Sequence, residues 1–134
     1  MKLLDIVNSI GSLNDLYVCK KLDVNIAYRI AKNYKIISEE YEQFEKSKLE
    51  LINKYADKNE HGEFVIVKND NGVSNYSMTR ENEILFNQQI AVLLNEDVDV
   101  SIKKVTLKEI EHAGLSGADL MVLEYMIEFD EGKQ

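Results

Sequence analysis

Between positions 23 and 58 the chain contains neither glycine nor proline, and this stretch predicts one uninterrupted helix. Ala27, Ile30, Tyr34, Ile37, Tyr41, Phe44, Lys48, Leu51 and Tyr55 fall alternately three and four residues apart. That spacing is a heptad seam whose one charged member is Lys48. Asp23 is placed to cap the start, and Asn59 and Gly62 offer places to stop. At about 1.5 Å per residue the helix would be roughly 50 Å long. A compact domain of this size has a radius of gyration of about 14 Å. Such a rod cannot be wrapped by the rest of one small chain, so the seam predicts a partner, most simply a second copy. Tyr34, Ile37, Tyr41, Phe44, Leu51 and Tyr55 are the candidate interface.

The 134 residues have room for one domain, divided as a helical hairpin with the long helix (1–59), a hairpin, helix and strand (60–105) and a C-terminal helix pair (106–134). With 45% apolar and 30% charged residues the chain can build a core. Sixteen Lys and Arg against 24 Asp and Glu leave a net charge of -8. An acidic surface repels phosphate, which argues against nucleic acid and anionic membranes as partners. It serves solubility, or else meets a basic partner or imitates nucleic acid. The lone Cys19 has no cysteine to pair with, which fits a reducing cytoplasm, and it reads as a small packed hydrophobe. Asp5, Asn8 and Asn14 interrupt any signal-peptide core, and no run approaches the apolar length of a membrane span.

Ahead of the long helix, Leu3, Ile6, Val7, Ile10, Leu13, Leu16 and Tyr17 form one helical stripe. The short link through Lys20, Lys21 and Leu22 predicts an antiparallel helical hairpin. After Lys58 the period changes. Residues 63–68 and 73–78 flank Asn69-Asp70-Asn71-Gly72 and read as a β-hairpin. Thr79 caps a helix to about Asn95 with a broad apolar surface. Val98, Val100 and Ile102 alternate with polar residues, predicting a third strand for the hairpin sheet. Thr106 with Glu109, and Ser116 with Asp119, have capping-box spacing, and Gly114 suits a helix end. The fold class is therefore α+β and mainly α.

Catalytic constellations are not legible. His61 and His112 stand alone, and Asp70, Asp97 and Asp99 match no calcium loop, so no metal or cofactor is expected. Neither histidine is placed to activate a nucleophile, and no glycine-rich loop joins a strand to a helix. The pairs Glu39 with Glu40 and Glu124 with Glu128 read as solvated helix faces. Residues 107–127 imitate a helix-turn-helix. A recognition helix needs basic or amide side chains, and this one offers Asp119, Glu124 and Glu128. No DNA binding is expected; the element reads as a packing corner. The tyrosines either cap the core or form a contact surface.

The succession Lys-Leu-Asp-Val-Asn-Ile-Ala-Tyr-Arg-Ile-Ala-Lys-Asn (21–33), Leu-Ile-Asn-Lys-Tyr (51–55), a Gly-containing hairpin, Leu-Leu-Asn-Glu-Asp-Val-Asp-Val (93–100) and Leu-Ser-Gly-Ala-Asp-Leu-Met-Val-Leu-Glu-Tyr-Met-Ile (115–127) resembles a family of small proteins of unknown function. That family is carried by phages and prophages of Gram-positive bacteria. The resemblance implies expression in bacterial cytoplasm and supplies no catalytic residues.

Together these readings predict a non-enzymatic homo-oligomer that works by binding. The sharpest expectation is a counter-defence factor that blocks a host immune protein or sequesters its nucleotide signal. For sequestration, Lys21, Tyr28, Arg29 and Lys32 would line a pocket. A virion head or tail assembly accessory, engaging a phage structural protein, is the alternative. The third is a small-molecule enzyme whose site forms between subunits.

Overall fold

A computed structural model describes residues 1–129. Helix α1 spans Leu3–Tyr17 and helix α2 spans Val24–Tyr55, followed by strands β1 (Ile66–Lys68) and β2 (Ser74–Tyr76). Helix α3 (Arg80–Leu94), strand β3 (Val105–Thr106), helix α4 (Gly117–Val122) and strand β4 (Ile127–Glu128) complete the order. Single 3-10 turns cover Lys108–Ile110 and Glu124–Met126. The protein is mainly helical with a little strand.

The long helix forms as one 32-residue element. The Ala27 N–H bonds the Asp23 carbonyl at its start, and the Ala56 N–H bonds the Ile52 carbonyl at its end. Chain contacts divide the molecule into two compact units. The terminal unit holds Met1–Glu42 and the described residues from Glu96 onward. The middle unit is Gln43–Asn95. Residues 24–42 of α2 thus belong to the first and 43–55 to the second.

In the terminal unit α1 buries Leu3, Ile6, Ser9, Leu13 and Leu16, the three-and-four spacing of one helical face. Ile26, Ile30, Asn33 and Ile37 of α2 are buried in the same unit, as are Val105, Ile110, Leu123, Met126 and Ile127. Polar bonds fix the layers. The Ser12 hydroxyl donates to Asp119 (2.7 Å), and Ser9 shares a 2.8 Å hydrogen bond with Tyr125. Both expected capping boxes form. In one, Glu109 N–H bonds the Thr106 hydroxyl while Thr106 N–H bonds the Glu109 carboxylate. In the other, Ser116 and Asp119 make the same exchange.

The strand expected over 98–103 does not form. The hairpin sheet has two strands, and the second sheet is a parallel pair, Val105 opposite Ile127 and Thr106 opposite Glu128. Residues 98, 100 and 102 are half-buried and 99, 101 and 103 exposed, so the alternation is real. Its first residue meets backbone, the Val98 N–H donating to the Met1 carbonyl at 2.7 Å, and its last meets a side chain. The Asn33 amide donates to the Lys103 carbonyl and accepts from the Lys103 N–H, both at 2.8 Å. A carboxamide carries one donor edge and one acceptor edge, so it completes a backbone amide as a neighbouring strand would.

In the middle unit β1 and β2 pair antiparallel, Ile66 opposite Tyr76 and Lys68 opposite Ser74. Two loops of the same design punctuate it. Asn59 Oδ1 accepts from the N–H groups of His61 and Glu63, and Asn69 Oδ1 accepts from those of Asn71 and Val73. Each closes on a left-handed glycine, Gly62 at φ 77° and Gly72 at φ 79°, where a side chain would be strained.

Candidate functional site

Of the six residues nominated from the α2 seam, three are buried and three half-buried. Ile37, Phe44 and Tyr55 are buried by the chain itself, at 0, 6 and 8% exposure. Tyr34, Tyr41 and Leu51 are half-buried. The Tyr34 ring stacks on Tyr17, centroids 4.2 Å apart and planes 7° from parallel. In the terminal unit α2 meets Tyr17 of α1 and, through Arg29 and Asn33, residues 103–109 some 70 residues further along, and helical periodicity carries no trace of that distant segment.

The proposed ligand group is also dispersed. Lys21 is exposed in the link before α2, and Lys32 lies over the Tyr28 ring at 5.0 Å. Arg29 is engaged inside the fold, where its guanidinium pairs with the Glu109 carboxylate and donates to the Lys104 carbonyl at 2.8 Å. None of the four lines either cavity described below.

The titratable groups with shifted affinities hold structure together. Hydrogen bonding from Arg29, then from the Thr106 N–H, keeps Glu109 below the ordinary carboxyl value. The Ser12 hydroxyl, then the Ser116 N–H, lowers Asp119. Burial raises the Tyr125 phenol, partly offset by its bond to Ser9. His61 and His112 are exposed, each beside the glutamate that precedes it in sequence. Among the described residues no group of three His, Cys, Asp or Glu could hold a metal, and no helix is long and apolar enough to cross a membrane.

The unusual surface lies in the middle unit. Its frame is a closed backbone ring. Asp57 N–H donates to the Ser77 carbonyl, Ser77 N–H to that of Val65, and Val65 N–H to that of Asp57, at 2.8, 2.8 and 3.0 Å. The Ser77 hydroxyl adds a 2.8 Å bond to the Asp57 carboxylate. Thr79 then caps α3, accepting from Asn82 N–H at 3.1 Å, and the Asn82 amide reaches the Tyr55 carbonyl. Phe64 meets Tyr76 edge-on at 5.2 Å.

On this frame, apolar side chains remain in the open. Only Phe44, Ile52 and Tyr55 are buried among the 53 residues, and α3 buries none. Ile66, Val67 and Val73 of the hairpin are about half exposed. Ile84, Leu85 and Val92 of α3 are 49, 37 and 66% exposed. A groove of about 780 Å³ runs between Lys48, Ile52, Ile66, Tyr76, Glu83 and Phe86. A second cavity of about 440 Å³, beside Asp5, Asn8, Glu124 and Tyr125, lies in the terminal unit. The sequence predicts a broad apolar surface on α3 and not that Ile84, Leu85 and Val92 stay exposed. The signal was present in the run from Ile84 to Asn95, twelve residues without a charge in a chain that is 30% charged.

No family model, no curated protein and no solved structure matches the chain.

Proposed function

We propose that the protein works by binding rather than by catalysis, as a homo-oligomer whose contacts are made through the middle unit instead of the α2 seam. One observation carries this reading: α3, fifteen residues long, buries no side chain fully and leaves Ile84, Leu85 and Val92 exposed. A helix apolar on more than one side is stable when its second side is covered, and exposed patches of this kind mark interaction surfaces. Among binding roles, the phage-like residue pattern favours counter-defence in the bacterial cytoplasm. The engagement of Arg29 by Glu109 favours blocking a host immune protein over sequestering a nucleotide.

Two measurements test the proposal. Light scattering of the pure chain at micromolar strength is expected to give a multiple of 15.4 kDa. Affinity capture from phage-infected cells is expected to recover a host immune component. Recovery of capsid or tail proteins alone would replace counter-defence with an assembly role.

A further inference from the structure

The uncovered side of α3 has a symmetry that specifies its occupant. At about 100° per residue, Ile84, Leu85, Gln88, Ala91 and Val92 share one side of the helix. All five are exposed. Phe86, Ile90, Leu93 and Leu94, on the opposite side, are half-buried in the chain. Gln88 lies at the centre of the exposed stripe, both along the helix and around it.

We propose that two copies pair through this stripe, α3 against α3 and antiparallel, with the two-fold axis at Gln88. The proposal rests on the binding reading above and names its self-contact. A two-fold interface requires one patch to complement itself. An antiparallel register centred on Gln88 puts Ile84 against Ala91 and Leu85 against Val92 of the second copy, a larger side chain facing a smaller one. The two Gln88 carboxamides meet on the axis, where each donates an N–H to the other's carbonyl.

Charge selects the same occupant. Residues 1–42 and 96–134 of the sequence carry ten Lys and Arg against sixteen Asp and Glu, and residues 43–95 six against eight. Copies approaching through charged surface repel one another, whereas residues 84–95 carry no charge. A charged partner finds nothing to read on this stripe, and an identical neutral stripe finds its complement.

The test uses the full chain. Light scattering at micromolar strength is expected to give twice 15.4 kDa. Gln88→Glu sets two carboxylates on the axis and is expected to weaken pairing at least tenfold at pH 7. Pairing is recovered near pH 4, where the carboxylates protonate. Val92→Glu weakens pairing at both pH values. In a Cys19→Ser background, Gln88→Cys is expected to cross-link two copies under a mild thiol oxidant such as oxidised glutathione, while Gln89→Cys, a step round the helix, does not. Circular dichroism of each variant matches the parent, because the substituted side chains are exposed within one copy. A variant with altered dichroism is set aside, and the cross-linking pair then decides. A dimer that survives both Gln88→Glu and Val92→Glu overturns the α3 pairing and leaves self-assembly standing. Equal cross-linking at positions 88 and 89 also overturns it. A parent mass of 15.4 kDa overturns both readings.

Discussion

Helices α1 and α3 are each fifteen residues long, yet α1 buries five side chains and α3 none. The difference extends to the units that contain them. The terminal unit buries fourteen side chains, and those of Ser9 and Asn33 carry their own hydrogen-bond partners. The middle unit, with 53 residues, buries three. Burial stabilises a fold in rough proportion to the apolar area removed from water, so the two units are held by different means. The first is held by its core. The second is held by backbone hydrogen bonds and loop geometry, and much of its apolar surface stays exposed.

Substitutions can break this contrast, beginning with the largest effect. Leu123→Ala, in the terminal core, is expected to cost about 2–5 kcal/mol in urea unfolding. Val92→Ala is expected to change stability by less than about 0.5 kcal/mol at concentrations where the chain is a single copy. Equal costs would erase the distinction between the units. Asn33→Ala leaves both polar groups of Lys103 without their partner and should cost about 2 kcal/mol. Hydrogen exchange at the Lys103 amide should rise with it. In the middle unit, Gly72→Ala at φ 79° should cost about 1 kcal/mol, read from the same urea transitions.

The smallest effect concerns pH. Glu109 binds its proton less readily in the folded chain than at its ordinary value of 4.5, so the unfolded chain takes up more protons as acid is added. Its contribution is full above that value and is lost as pH falls through the lower folded one. Glu109→Gln should flatten the acid limb of stability while changing it at neutral pH by less than about 1 kcal/mol, since the ion pair is partly exposed. An unchanged acid limb would place the sensitivity elsewhere, with Asp119 the next candidate.

Much of this architecture is legible in the residues. The seam marks α2, Thr79 marks the start of α3, both capping boxes form, and Asn69 with Gly72 marks the hairpin turn. These signals are local, because a cap or turn involves atoms three or four residues apart. One failure is local: of the helix pair expected over 106–134, the described residues form a 3-10 turn at Lys108–Ile110 and the six-residue α4. The others are long-range. Nothing near Asn33 announces Lys103, seventy residues away, and the alternation at 98–102 cannot say that a helix side chain will take the place of a strand. The burial of Ile37, Phe44 and Tyr55 within the chain is hidden for the same reason. Periodicity shows which side of α2 is apolar and not which segments cover it.

The ring formed by Asp57, Ser77 and Val65 has one more consequence. Main-chain atoms that every residue but proline carries close it, so mutation of neighbouring side chains does not remove its bonds. A platform secured in this way tolerates turnover of its outward residues while the scaffold beneath stays put.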